Sequence, residues 1–256
     1  MNSNVAFVTG YVGQDPKPRI PKKPKGYDSY YITNHSGVIS RLQKTYWIPI
    51  FIENVTDLLS LFSPDSPFSK LSPDEISALD EVKQSQFYTL ACKRLKVYPN
   101  LFLPKTYDFV VWSDNKFSVN ASDSIKTINN WNHKTAMMLH KHPFVENNME
   151  ELSESMHQQR YVEQKARYEN YLDEQTAKGL SVEGTMHYQC GYLLYNEAHP
   201  KTNLIRSTWQ DHINMCGIND QISFHFVAQL FDDCVDEFIY PISRPKINIP
   251  FLSFFR

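Results

Sequence analysis

Cysteine is scarce. The four residues Cys92, Cys190, Cys216 and Cys234 lie far apart in 256 positions and match no zinc-binding spacing. Their neighbours are apolar, so they read as ordinary buried thiols of a protein kept in a reducing compartment. Charge of one sign is also missing: 26 Lys and Arg stand against 28 Asp and Glu. With a net charge near −2 there is no basic field of the kind that gathers nucleic acid. Nor are the basic residues interleaved with aromatics in a stripe, so no nucleic-acid partner is expected. No stretch approaches the ~20 apolar residues that cross a bilayer. The opening MNSNVAFVTGYVGQD lacks a basic segment ahead of its short apolar run, so neither a transmembrane segment nor a signal peptide is expected, and the predicted location is cytoplasmic. Internal repeats are absent. What is present is a 41% hydrophobic, 14% aromatic composition, enough for the core of one large α/β domain or two small ones.

The chain is organised around YDFVVWSDNKFSVN, residues 107 to 120. Phe109, Val110, Val111 and Trp112 favour a strand buried on both faces, and the run breaks into Ser113, Asp114 and Asn115. A carboxylate is thereby placed at the C-terminal end of a strand, the edge where open α/β sheets bind ligands, and such a residue can hold a divalent cation against a diphosphate. The same three residues are also good turn formers, and a plain turn is the other reading.

Before this stretch, Val5–Val8 reads as a short buried strand ending at Thr9 and Gly10, where a small residue lets a ligand or backbone approach. Residues 14 to 27 carry four prolines and many lysines and form an irregular, solvated loop. Tyr30–Thr33 and Thr45–Ile52 are further strands, with Pro49 marking an edge or an end. Between Asn54 and Lys83 a peripheral helical insertion is expected, with Ser72, Pro73 and Glu75 forming a capping box. A helix over Gln84–Tyr98 sets Phe87, Leu90, Ala91 and Leu95 on one face and the basic cluster Lys93, Arg94 and Lys96 beside it, either as a solvated face or as a diphosphate counter-charge.

After the central stretch, Thr135–Leu139 is short and apolar. If its strand continues, His140 and His142 point to one side, the spacing for a shared ion or sugar. Glu146–Lys178 is polar and free of Gly and Pro, predicting two helices or one bent helix packed on the surface by a narrow apolar stripe and stopped by Gly179. Tyr192–Tyr195 is a buried strand behind Gly191, which implies close backbone approach or a bulge. Ser207–Met215 is an amphipathic helix. Asp220 is placed to cap a last helix, Ile222–Leu230. Ile239–Arg256 is expected to pack as extended chain.

Four blocks then resemble a known family: YYITN; KRLKVYPNLFLPKTYDFVVWSDNKF; MLHKHPF; and HYQCGYLLYN with STWQDHINMCGINDQISFHFV. In the last, Trp209, Asp220, Gln221, Ser223 and Phe224 follow the family's order. The family is a glycosyltransferase-like one, formerly a domain of unknown function, with plant members implicated in pectin synthesis and bacterial and viral members; more distantly, the chain resembles retaining transferases of the glycogenin type. The resemblance implies an α/β fold: a single GT-A-like, Rossmann-type domain with a mostly parallel central sheet flanked by helices, plus helical insertions. Residues 1–120 would form the nucleotide-binding half, 121–240 the acceptor and catalytic half, and 241–256 an extended tail. It further implies a UDP- or GDP-linked sugar donor, a glycan or glycoprotein acceptor, and Mn²⁺ or Mg²⁺. Carried over by position, Asp114 is the metal residue, with Asn115 beside it; Ser113-Asp114-Asn115 departs from the usual Asp-x-Asp and offers one carboxylate. Thr9, Gly10 and Thr33 would line the nucleotide pocket, and Lys93, Arg94 and Lys96 would face the phosphates. Asp220 is the candidate acceptor-orienting residue or base, Gln221 lies near the anomeric carbon, and His142 contacts sugar or acceptor. Asn219 stands where the family has an arginine. The alternative is a non-catalytic relative that binds nucleotide sugar or glycan.

Overall fold

The computed structural model describes residues 4–62, 66, 68–184 and 186–241. Among these lie seven strands: β1 (Val5–Tyr11), β2 (Asp28–Thr33), β3 (Ile48–Phe51), β4 (Phe109–Ser113), β5 (Met137–Lys141), β6 (Tyr188–Asn196) and β7 (Val235–Glu237). They form one sheet in the order β3-β2-β1-β4-β6-β5-β7. Pairing is parallel from β3 through β2 and β1 to β4, and between β5 and β7. Only β6 runs antiparallel to its neighbours, β4 and β5. The mostly parallel sheet flanked by helices is the GT-A-like α/β architecture that the resemblance implied.

Alternation along the strands explains why both faces are covered. Ala6, Val8, Val110, Trp112, Leu193 and Tyr195 enter the larger core. Val5, Phe7, Val111, Tyr192 and Leu194, interleaved with them, enter a smaller core on the other face. The continuous apolar runs legible in β1, β4 and β6 are thus strands with no solvent-facing side. β3 is the sheet's edge, as Pro49 suggested, and is shorter than the expected Thr45–Ile52.

The helices are α1 (Ser36–Lys44), α2 (Val55–Phe62), α3 (Pro73–Ser77), α4 (Glu81–Val97), α5 (Ala121–Asn129), α6 (Asn148–Ser155), α7 (Gln159–Val162), α8 (Lys165–Ala177), α9 (Thr202–Cys216) and α10 (Asp220–Leu230). The capping box at Ser72 and Glu75 is present at the start of α3. The segment from Asn54 to Lys83 is not peripheral, because Leu58, Leu59 and Ile76 are buried in the larger core with α4. α4 starts earlier than Gln84, capped by Asp80, whose side chain accepts from the Lys83 amide at 2.8 Å. The polar segment Glu146–Lys178 forms three helices, α6 to α8. β7 was not foreseen. The expected extended tail lies, from residue 242 onward, outside the described residues.

The proline- and lysine-rich loop between β1 and β2 is irregular but not merely solvated. Pro18, Pro21 and Pro24 are buried at every third position while the intervening lysines stay exposed or half-exposed. Its backbone accepts from Tyr31 Oη at Arg19 (2.9 Å) and from Trp47 Nε1 at Pro21 (2.8 Å).

Candidate active site

A cleft of about 980 Å³ opens at the C-terminal ends of β1 and β4 and the start of antiparallel β6. Its walls are the end of β1 and the loop after it from Gly10 to Asp15, the turn Asp114–Lys116, one side of α4, the helices α6 and α7, and the corner Asn219–Gln221 that opens α10. The α4 contribution is a polar stripe: Glu81, Ser85, Tyr88, Thr89, Cys92, Lys93 and Lys96 recur three and four residues apart and so share one side of the helix.

Asp114 is fixed in this cleft by the strand before it and the turn after it. Its amide donates to the Gly191 carbonyl on β6 (2.8 Å), and the Phe117 amide closes the turn onto the Asp114 carbonyl (2.9 Å). A Cβ on Gly191 would stand 2.1 Å from the Phe117 ring, so the close approach implied by that glycine is the seat of an aromatic side chain. Phe117 is buried there.

The charged groups form a row. Asp220 receives Lys93 Nζ on one carboxylate oxygen and Lys96 Nζ on the other, each at 2.6 Å. Lys96 also lies 3.4 Å from Asp114 Oδ1, which accepts the Trp112 indole N–H at 3.0 Å, and Lys116 lies 3.4 Å from Asp114 Oδ2. Burial pushes the Asp220 carboxyl upward, but Lys93 and Lys96 outweigh it and hold the group well below the usual carboxylate range. For Asp114, burial again raises and Lys96, Lys116 and Lys93 prevail, so the net direction is down. Burial opposes the charge on Lys96, yet Asp114 and Asp220 raise its pKa.

Asp220 is not the cap of α10. That role belongs to Asn219, whose Oδ1 accepts from the Gln221 and Ile222 amides at 3.0 and 3.2 Å. Its Nδ2 donates to Glu151 Oε1 (3.0 Å) and Ser155 Oγ (2.7 Å), tying α6 to the start of α10. Asp220, one residue on, is free of capping duty and turns to the lysines.

Of the residues singled out from sequence, Gly10, Lys93, Lys96, Asp114, Asn115, His142, Asp220 and Gln221 line the cleft together. Thr9 and Thr33 do not: both are fully buried, and the Thr33 hydroxyl accepts from the His35 amide at 3.2 Å. Arg94 faces away from the cleft. It is fully buried and donates to Asn214 Oδ1 on α9 at 2.7 Å, and burial pushes its pKa down to about 9. His140 and His142 do not act as a pair, because the register shifts between Leu139 and His140 and β5 ends at Lys141. His140 packs against Tyr192 and Phe238, while the ring of His142 lies 5.7 Å from that of His187 and its Nδ1 accepts from the Val145 amide at 2.9 Å.

One residue was missed. Glu151 on α6 lines the cleft, 7% exposed, with His187 Nε2 at 3.6 Å from its second oxygen. Burial pushes its carboxyl up, but the neighbouring His187 ring and the hydrogen bond donated by Asn219 outweigh this and hold it below its ordinary value, so it is ionised at neutral pH. The signal was in the sequence: Asn148, Glu151 and Ser155, at i, i+3 and i+7, give α6 a buried polar face.

The donor set at Asp114 does not fit a divalent cation. Every oxygen of Asp114 and Asp220 already faces an ammonium or the indole N–H, and hard dications require several free oxygen ligands. Among the described residues no group of three or more His, Cys, Asp or Glu side chains is assembled to hold a metal.

No protein-family model and no curated protein matches the chain. Solved structures similar to it include WbbM, a bifunctional glycosyltransferase, at TM-score 0.51 and 11% identity, over 92% of this chain and 39% of that one. Mouse xyloside xylosyltransferase 1 is similar at TM-score 0.48 and 10% identity, over 90% of this chain and 83% of that one. The galactosyltransferase LgtC, solved with donor and acceptor sugar analogues, is similar at TM-score 0.39 and 10% identity, over 91% and 72%. These neighbours are glycosyltransferases, and the WbbM likeness is one of shared fold.

Proposed function

We propose that this chain transfers a glycosyl group from a nucleoside-diphosphate sugar to a hydroxyl of a glycan or glycoprotein. The observation that carries the reading is the meeting, in one cleft at the strand ends of a GT-A-like sheet, of a basic corner at α4 and β4 with an ionised carboxylate on α6. In this reading residues 1–120 supply the donor side. The loop from Gly10 to Gly13, with the rings of Tyr11 and Tyr88, receives the base, and Asn115 the adjoining ribose. Residues 121–240 supply the acceptor side, with Gln221 beside the transferred sugar and His142 contacting sugar or acceptor.

The chemistry requires a leaving diphosphate to be stabilised and an acceptor hydroxyl to be positioned and deprotonated. The acceptor oxygen forms the new bond to the anomeric carbon. The bond from that carbon to the diphosphate oxygen breaks, and its electron pair leaves on the diphosphate. Glu151 takes the hydroxyl proton, being ionised and without an ammonium partner among the described residues. Asp220 is a poor base because two ammoniums hold its charge; its part is to position Lys93 and Lys96.

A panel of UDP- and GDP-linked sugars, read by thermal stabilisation and by slow release of free sugar, tests the proposal. The matched donor should both stabilise the protein and be hydrolysed. Stabilisation without any turnover, unchanged in Glu151→Gln, would instead make the chain a non-catalytic nucleotide-sugar binder. No stabilisation by any member would remove the donor reading.

A further inference from the structure

The row Lys93, Asp220, Lys96, Asp114, Lys116 alternates in sign and begins and ends with a cation. Three ammoniums stand against two carboxylates, leaving one net positive charge at the place where the proposed donor's diphosphate would lie. Lys96 is 4% exposed, so its ammonium is fixed by its two carboxylate partners rather than by solvent. An ammonium carries three N–H donors. The end members, Lys93 and Lys116, each have one carboxylate partner and retain donors that can turn to phosphate oxygens.

A divalent cation in the same place would have to displace these ammoniums from the carboxylates and then sit among them as a like charge. The arrangement therefore already contains what a metal would bring: positive charge, held at fixed positions by carboxylates, in a cleft with low-dielectric walls. Resting on the donor reading above, we propose that Lys93 and Lys96, with Lys116, are the resident cations of the donor site and hold the diphosphate without a divalent metal. As the glycosidic bond breaks, the electron pair arriving on the diphosphate oxygen is met by ammonium N–H groups. Asp114 and Asp220 keep those groups in position and contact no metal.

The test is calorimetric titration of the intact protein with UDP, GDP and inorganic pyrophosphate, each in EDTA and again in excess Mn²⁺. Affinity for at least one probe should be the same in both. Lys93→Gln should weaken that binding about tenfold or more, the worth of a charge-assisted hydrogen bond. Lys116→Gln, at the exposed end of the row, should weaken it less and steepen no metal dependence. Asp114→Asn is the deciding variant. Whatever it does to affinity by loosening Lys96 and Lys116, it should do equally in EDTA and in Mn²⁺, whereas a metal-holding Asp114 would lose only the part of the binding that Mn²⁺ adds. Binding seen only with Mn²⁺ and lost in Asp114→Asn would overturn this inference and leave the donor reading standing. Failure of every probe to bind under both conditions would overturn the donor reading and this inference with it.

Discussion

The two sides of α4 hold basic residues of adjacent number and opposite fate. On the cleft side, Lys93 and Lys96 are matched to carboxylates at 2.6 Å. On the side packed against α9, Arg94 is more deeply buried and meets a single neutral amide oxygen, while its Nε and Nη1 find no partner among the described residues. Burial alone thus does not decide what a basic side chain is for. Lys96, nearly as buried as Arg94, has its charge reinforced by two carboxylates; Arg94 has its charge opposed by desolvation. In the proposed donor site the first arrangement serves an anionic ligand, whereas the second is a cost that packing absorbs.

The largest effect should come from stripping the cleft side. The double variant Lys93→Gln and Lys96→Gln should lower kcat/KM for the matched donor about 10³-fold, comparable to removing fixed electrostatic partners of a transition state. Retention of rate within a factor of about ten would break the contrast between the two sides. Glu151→Gln, facing the same stripe from across the cleft, should lower kcat about 10²-fold while donor affinity measured by titration is unchanged; a matching loss of affinity would instead make Glu151 a donor ligand. Arg94→Met, on the far side, should leave donor affinity untouched and change stability by about 1 kcal/mol or less, in the stabilising direction, since an imperfectly paired buried charge is replaced by an apolar chain of similar length. A strongly lowered Tm would show that the Asn214 contact matters more than its single bond suggests.

The broadest effect concerns acid, and it falls on stability rather than on the cleft. Burial holds His140, His212 and His225 neutral, with pKa values pushed down from 6.5 to about 4. The unfolded chain takes up these protons below 6.5 and the native protein does not, so stability is lost as pH falls from 6.5 toward 4. The slope is at most about 1.4 kcal/mol per pH unit for each histidine, less where solvent reaches the ring. The carboxylates of the charged row behave differently: with pKa values depressed below 3.8, they lose their contribution only at lower pH. Between pH 7 and 5, therefore, Tm should fall while donor affinity stays level. A Tm that is flat over this interval would show that the three rings are not held neutral.

Much of this was legible from residue order, and the failures have specific causes. The buried strands were marked by unbroken apolar runs, and the position of Asp114 followed from the abrupt end of one of them. Lys-Arg-Leu-Lys read as one basic cluster because adjacent letters hide the 100° turn between Lys93 and Arg94 that sends them to different walls. The histidine pair failed on a register shift, which alternation cannot anticipate. Asp220 and Asn219 are both competent caps, so only the backbone could choose between them. Glu151 was overlooked because a polar helix looks solvated until its polar residues are checked for the same periodicity as apolar ones.

Phe117 seated over Gly191 joins two distant parts of the chain in a single dependency. The turn bearing Asp114 is anchored by an aromatic ring plugged into the protein interior, so moving this jaw of the cleft would mean exposing that ring. Position 191 accordingly has little freedom of side chain: anything larger than hydrogen there forces the Phe117 ring out of its seat and disturbs the turn that carries Asp114.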